Sequence, residues 1–62
     1  MGQPANWMTL REVSEQLGVK ESTLRAWRHR GYGPRSFKVG VAVMYFRIDI
    51  DRWQAGMEAH PA

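Results

Sequence analysis

The sequence predicts a small, mainly α-helical domain that carries one β-hairpin, in the order helix, turn, helix, two-stranded hairpin, helix. Three observations support this fold class. Apolar residues recur at helical spacing in two short segments before residue 31, strand-like alternation follows within residues 37–46, and helical spacing returns after Asp49. With 62 residues the chain holds one small core, because a domain of this size buries only about 60% of its unfolded surface.

The two ends of the chain lack the periodic patterns of its middle. Residues 1–8 contain Pro4 and Asn6 and show no period, which indicates a flexible or loosely packed leader. We expect the folded domain to span residues 9–56. Residues 57–62 are expected to form a frayed tail, because Gly56 is expected to begin the end of the last helix.

Two short helices are predicted in the first half of the chain. Thr9 and Glu12 form a capping box, and Gly18 ends the first helix. The second helix covers ESTLRAWRHR and ends at Gly31, and it begins after Lys20, where a serine or threonine would cap more strongly. The two helices are expected to pack through Leu10, Val13, Leu17, Val19, Leu24 and Trp27.

Two helices joined by a turn of about three residues are a helix-turn-helix candidate. In this arrangement the first helix braces the second, and the free face of the second helix enters the major groove of DNA. Packing through the apolar face leaves Ser22, Thr23, Arg25, Ala26, Arg28 and His29 available to DNA.

The hairpin is predicted from alternation on either side of a turn at residues 40–42. We expect Phe37, Val39, Val43 and Tyr45 to face the helices. The opposite face would then carry Val41, Ala42, Met44 and Phe46, which are apolar where a solvent-exposed face is expected.

A third helix is predicted at the end of the domain. Asp49 is expected to cap it, with Asp51 in its first turn, where a carboxylate suits the helix dipole. Ile50 and Trp53 lie three residues apart and form its apolar stripe.

Positive charge is concentrated in the middle of the chain. Residues 20–47 hold seven of the nine Lys and Arg residues and one of the six acidic residues. Such clustering is typical of a nucleic-acid-binding surface. A solvated face has the same composition, so the charge alone leaves both interpretations open.

Several function classes are not expected. The chain has no cysteine, and His29 and His60 lie far apart without a ligand cluster, so we expect no metal site and no cofactor. Neither Ser22 nor Thr23 has a general base at a suitable spacing, so we expect no enzyme and no small-molecule substrate. The absence of a membrane-length apolar run and of a signal peptide predicts a soluble, cytoplasmic protein.

The run MTLREVSEQLGVKESTLRAWRHRGYGPRSFKVG, followed by the hairpin and YFRIDIDRW, resembles the small winged helix-turn-helix proteins of the excisionase and MerR type. The resemblance covers about residues 8–55. It implies that the second helix enters the major groove and that the hairpin is a wing touching the adjacent backbone or minor groove. By position, the DNA-binding candidates are Lys20, Ser22, Thr23, Arg25, Arg28, His29 and Arg30 on and before the helix, with Arg35 and Lys38 at the wing base.

The wing departs from the pattern of that family. Similar proteins tend to carry arginines where this chain has Val41, Ala42, Met44 and Phe46. An exposed apolar patch usually marks a contact site. We therefore expect these four residues either to contact a neighbouring protomer or an integrase, or to place an apolar tip along the minor groove.

The resemblance implies a phage or mobile-element excisionase, also called a recombination directionality factor, in the nucleoid of a bacterial host. Such a protein binds repeated sites on double-stranded DNA cooperatively, associates head to tail, bends the duplex and directs an integrase toward excision. The 62 residues leave no room for the dimerisation helix or effector domain of a full MerR regulator. Two alternatives stay open: a small MerR-like transcription regulator, and a protein-interaction module that works through the apolar wing.

Overall fold

Three helices and a three-stranded antiparallel sheet form the domain. The computed structural model describes residues 6–59, and side chains through Gly56. The elements are β1 (Trp7–Thr9), α1 (Leu10–Leu17), α2 (Glu21–Arg30), β2 (Phe37–Val39), β3 (Ala42–Phe46) and α3 (Arg47–Ala59). This architecture confirms the predicted class, a winged helix-turn-helix fold with the β2–β3 hairpin as its wing.

Local hydrogen bonds fix both ends of α1. The Glu12 backbone N–H donates to Thr9 Oγ1 (3.1 Å), and the Thr9 backbone N–H donates to Glu12 Oε1 (2.8 Å), so the predicted capping box is confirmed. Gly18 ends the helix with a φ of 69°. The Ser14 hydroxyl then donates to the carbonyl of Val19 (2.5 Å), which ties the turn back onto α1.

Helix α2 lacks the side-chain cap that α1 has at its N-terminus, but its C-terminus is well defined. Lys20 occupies the N-cap position and makes no side-chain capping bond. At the other end Gly31 has a φ of 69°, and the N–H of Tyr32 donates to the Trp27 carbonyl (2.8 Å). A left-handed glycine of this kind stops a helix without steric cost. The bounds of α2 therefore agree with the predicted segment.

The sheet has one strand more than predicted. Its order is β1-β3-β2, and β1 pairs antiparallel with β3 with Met8 opposite Tyr45. Met8 is buried in the core. The expectation of a loose leader through residue 8 is therefore wrong for residues 7 and 8, while residues 1–5 lie outside the described part. A segment of three residues is too short for its alternation to be recognised in the sequence, and its partner Tyr45 lies 37 residues further along the chain from Met8.

The wing turn is one residue shorter than predicted, and this changes which side chains face the helices. Val39 pairs with Ala42 and Phe37 pairs with Met44, so only Gly40 and Val41 form the turn. Paired residues share a face, and a shift of one residue moves every side chain to the other face. Phe37 and Val39 therefore share the outer face with Met44, and their predicted place in the core is wrong.

Helix α3 begins directly after β3 and extends further than predicted. Its first residue is Arg47, so Asp49 lies in its first turn and the prediction that Asp49 caps the helix is wrong. The N–H of Arg47 donates to the carbonyl of Asn6 (2.7 Å), which continues the β1–β3 hydrogen-bond ladder into the helix. The helix also runs past Gly56 to Ala59, so residues 57–59 are helical; residues 60–62 of the predicted tail lie outside the described part.

One core joins the three helices to the inner face of the sheet. Val13, Leu24 and Ile50 from the helices are almost fully buried, as is Tyr45 from β3. The helix–helix packing predicted from the sequence is confirmed, because all six predicted residues belong to this core or pack against it. The core consists of Met8, Leu10, Val13, Leu24, Tyr45 and Ile50, with Leu17, Val19, Trp27 and Val43 packed around it.

Candidate nucleic-acid interface

The free face of α2 is a stripe of four exposed residues. Ser22, Arg25, Ala26 and His29 follow one another at spacings of three and four, and all four are exposed. Residues at this spacing lie on one side of a helix. Leu24, on the opposite side, is 1% exposed and anchors α2 in the core. The stripe is therefore the surface that α2 can offer to the major groove, which is wide enough to admit a helix.

Arg25 is the cation at the centre of this stripe. Its guanidinium Nη2 lies 3.8 Å from Glu21 Oε1, one helical turn away, and the Arg25 and Glu21 side chains are 58% and 42% exposed. An exposed pair of this kind contributes at most about 1 kcal/mol. Glu21 therefore orients Arg25 in the free protein but does not prevent it from turning to an anion or to a guanine edge.

Arg28 lies at the border between the stripe and the core. Its side chain is half-buried, and its Nε is buried without a hydrogen-bond partner among the described residues. Arg28 lies near the phenol of Tyr45, which is 2% exposed. Burial raises the pKa of that phenol above its usual value of 10.0, and the positive charges of Arg28 and, less strongly, Arg25 oppose this rise. The charges of both arginines therefore act on the buried Tyr45 phenol of β3.

The remaining α2 candidates flank the stripe. Lys20 is exposed at the N-cap, Thr23 is half-buried, and Arg30 is exposed at the last position of the helix. Arg28, His29 and Arg30 together form the last turn, where positive charge also suits the helix dipole. Part of this positive charge is therefore explained by helix stability, with or without DNA.

The two wing candidates are exposed cations. Lys38 lies in the middle of β2, and Arg35 lies just before the strand. Arg35 also lines a surface pocket of about 320 Å³ at the base of the wing, together with Ser36, Phe37, Phe46 and Asp49. The sequence did not indicate this pocket, because it depends on the start of α3 lying beside β2.

An aromatic cluster holds the C-terminal end of α2. The ring of Trp27 lies 5.0 Å from that of Tyr32 and 5.6 Å from that of Trp53, between ring centroids. Gly33 lies directly against Trp27: a Cβ added there would be 2.8 Å from Cε3 of the indole. These contacts fix α2 against α3 and set the direction in which its basic last turn points.

The outer face of the sheet is apolar and carries a second aromatic cluster. The rings of Phe37 and Phe46 are stacked with centroids 4.6 Å apart, and Trp7 meets both edge-on. Of the four predicted contact residues, Val41 is 95% exposed, and Ala42 and Phe46 are exposed. Met44 is 8% exposed, so its predicted availability for contact is wrong.

Three residues of the outer face differ from their predicted places. Phe37 and Val39 were predicted in the core and lie on this face because the turn is shorter, and Trp7 was predicted in the leader and lies here because β1 pairs with β3. Gly40 has a φ of 62°, and no residue other than glycine has a positive φ in the described part. A glycine with positive φ at the first position of a two-residue turn is typical of a type II′ hairpin. The Gly-Val pair was the signal that could have given the correct register.

Within residues 6–59, no group of three or more His, Cys, Asp or Glu side chains is placed to hold a metal ion. None of the helices described is long and apolar enough to cross a membrane.

Comparison with known proteins agrees with this geometry. The family model described as "Helix-turn-helix domain" matches residues 7–57, which include all the strands and helices described except the last two residues of α3. A search of curated proteins finds no match for the chain. The matched segment covers well over half of the sequence and contains both helices and the wing. The chain therefore belongs to the helix-turn-helix domain family, and its function is sequence-specific DNA binding.

Proposed function

We propose that the chain is an excisionase-type protein, a recombination directionality factor of a phage or mobile element acting in the nucleoid of a bacterial host. It performs no chemistry itself. It binds repeated sites on duplex DNA, bends the duplex and so directs an integrase toward excision. The matched family includes excisionase-like DNA-binding domains, which supports this choice.

The observation that carries the proposal is the presence of two different surfaces on opposite sides of one sheet. The helices pack on the inner face, through Tyr45 and Met8, and α2 turns its basic stripe away from the core. The outer face is apolar and carries the Trp7, Phe37 and Phe46 cluster. A protein that assembles on DNA needs one surface for the duplex and another for protein neighbours, and this domain supplies both.

The basic residues account for DNA binding in two ways. Arg25, at the centre of the stripe, suits the O6 and N7 atoms of guanine, which arginine contacts in a bidentate manner. Lys20, Arg30, Arg35 and Lys38 are exposed cations at the ends of α2 and along the wing base, where contacts to phosphates would fix the register of the helix without reading sequence.

A small domain with about six phosphate contacts binds modestly and loses affinity steeply with salt. Occupancy of a site therefore gains from neighbours bound to adjacent repeats, since a tethered second contact raises the effective concentration. Bending a site by 40–90° costs of order 1–6 kcal/mol. Contacts between protomers along the bend offset this cost.

Recombination in a reconstituted system tests the proposal. The DNA site is first selected from a random duplex pool. Duplexes with one copy or with several copies of that site then report cooperativity, and circular permutation reports bending. Finally, the protein is added to attachment-site DNA together with an integrase of the same phage or mobile element. We expect cooperative binding, a bent duplex and a shift from integration to excision. Tight binding to a single site, with no bend and no change in recombination, would instead favour a small transcription regulator.

A further inference from the structure

The pocket at the base of the wing combines an aromatic wall with polar groups. Phe37 and Phe46 line it with their stacked rings, and Trp7 packs edge-on against both rings, which fixes their positions. The rest of the lining is polar and consists of Arg35, Ser36 and Asp49. Its volume of about 320 Å³ lies at the lower end of the range of ligand pockets. A recess of this size and lining suits one planar ring that carries polar groups at its edge.

The two charged groups of this pocket have no partner in the described part of the chain. Arg35 is exposed and Asp49 is half-buried. Among the residues that the structure describes, neither side chain forms an ion pair or a hydrogen bond, either with the other or with a third residue. A ligand that satisfies both must therefore offer a negatively charged group to Arg35 and a hydrogen-bond donor to Asp49.

We propose that the pocket receives one unpaired base of a single DNA strand. The base lies against the Phe37 and Phe46 rings, as bases stack on aromatic side chains in proteins that bind single strands. The Asp49 carboxylate accepts a hydrogen bond from the exocyclic amino group of the base, as carboxylates do from N4 of cytosine. Arg35 contacts the phosphate of the same nucleotide. Because thymine has no exocyclic amino group, the pocket favours cytosine over thymine.

This surface differs from the one that α2 offers to a duplex. The rings of the pocket lie on the outer face of the sheet, whereas the helices pack on the inner face. The pocket occupies the end of the outer face beside α3 and leaves Val41 and Ala42, at the wing turn, for the proposed protein contact. Only Arg35 belongs both to the pocket and to the candidates for duplex binding. The inference therefore goes beyond the proposed function and does not depend on it.

Single-stranded oligonucleotides made of one base type test the role of Asp49. Fluorescence anisotropy compares the binding of labelled oligodeoxycytidine and oligothymidine of equal length. We expect the wild type to bind oligodeoxycytidine several-fold more tightly, and Asp49→Ala to lose this preference because binding to oligodeoxycytidine weakens. Asp51→Ala is the matched control, since it removes an exposed carboxylate from the same turn of α3 and should leave the preference unchanged. If Asp49→Ala instead strengthens binding to both oligonucleotides equally, the carboxylate only repels the strand and the proposal is overturned.

The aromatic wall is tested in the same assay. Phe37→Leu keeps an apolar side chain and removes a ring, so it should weaken binding to both oligonucleotides by about fivefold or more. Tyr32→Leu removes an exposed ring outside the pocket and should have no such effect. Binding to a duplex with one selected site shows whether each variant is folded. If Phe37→Leu also loses duplex binding, the Asp49→Ala and Asp51→Ala pair, which leaves every ring in place, decides the proposal.

Two further results would overturn the proposal. One is equal binding of the wild type to the two oligonucleotides, or binding to neither. The other is loss of single-strand binding in Arg25→Ala, because that result would place the strand on the α2 stripe; we expect Arg25→Ala to weaken duplex binding alone. A recombination assay without a shift toward excision would contradict the proposed function and leave the base pocket intact, so the two claims fail independently.

Discussion

Gly33 shows how one residue determines the direction of the DNA-binding helix. Its φ is 87°, a conformation that residues with a Cβ rarely adopt, and it lies against the ring of Trp27. Trp27 in turn contacts Tyr32 and Trp53 and connects the end of α2 to α3. The missing side chain of Gly33 is therefore part of the packing that holds α2.

Replacing Gly33 tests this packing. Gly33→Ala should destabilise the fold by more than the roughly 1–2 kcal/mol that a left-handed conformation costs an L-residue, because the new Cβ would also press on Trp27. Gly31→Ala is the matched control, since Gly31 has a φ of 69° and no atom near an added Cβ. Urea unfolding should show a larger decrease in the free energy of unfolding for Gly33→Ala than for Gly31→Ala. Equal losses would show that the Trp27 contact is unimportant.

Tyr45 makes the free energy of unfolding of the domain depend on pH in the alkaline range. Burial raises the pKa of its phenol above 10.0 in the folded state, so the folded protein holds this proton more tightly than the unfolded chain. The resulting stability is fully present below pH 10 and is lost as the pH rises through the folded pKa. The free energy of unfolding, measured from pH 9 upward, should fall less steeply in Tyr45→Phe than in the wild type. Identical pH profiles for the two proteins would show that a group other than Tyr45 causes this dependence.

Arg25 should distinguish base contact from general positive charge. Arg25→Ala should weaken binding to the selected duplex by about tenfold or more, in line with the 1–3 kcal/mol of a bidentate guanine contact. Arg11→Ala is a close control, because Arg11 is an exposed arginine of α1 paired with Glu15 one turn away, as Arg25 is with Glu21. Fluorescence anisotropy with a labelled duplex measures the binding affinity of both variants. Equal losses in the two variants would argue against a specific role for α2.

At the scale of the elements, signals that are local in the sequence were sufficient to predict the first two helices. The capping box of Thr9 and Glu12 and the terminal glycines Gly18 and Gly31 act within one or two turns, so α1 and α2 could be predicted closely. The strands depend on distant partners. Strand β1 pairs with β3, far along the chain, and a turn shorter by one residue reversed the predicted faces of β2. The stripe on α2 and the apolar outer face of β3 were therefore predicted from the sequence, whereas the place of Phe37 and Val39 on that face and the pocket beside it were not.

Helix α3 contains a glycine that no described contact explains. Gly56 lies within the helix, and an added Cβ would meet no atom within 4 Å. Gly56→Ala should therefore stabilise the domain by about 0.5–1 kcal/mol, the usual difference between these residues inside a helix. Ala55→Gly, at the adjacent exposed position, should lower stability by a similar amount. An unchanged or lower free energy of unfolding for Gly56→Ala would show that the glycine has a structural role.

At the scale of the whole molecule, the basic residues and the exposed apolar residues lie on different surfaces. Residues 20–47 carry a net charge of +6, counting seven basic residues and one acidic residue. Helix α2, the wing base and the first residue of α3 carry that charge, while the outer face of the sheet carries aromatic rings. The basic surface is therefore the one that fits DNA, and the apolar outer face is the surface on which the proposed protein contact depends.

The salt dependence of duplex binding tests the central claim most directly. Binding of the wild-type protein to a duplex with one selected site is measured at several salt concentrations. If about six phosphates are contacted, the logarithm of the association constant should fall against the logarithm of salt concentration with a slope of about −5. The slope should become less negative by about one when Lys20 or Lys38 is replaced by alanine. A slope near zero, or unchanged binding in both Arg25→Ala and Arg28→Ala, would contradict DNA recognition through α2 and the wing base.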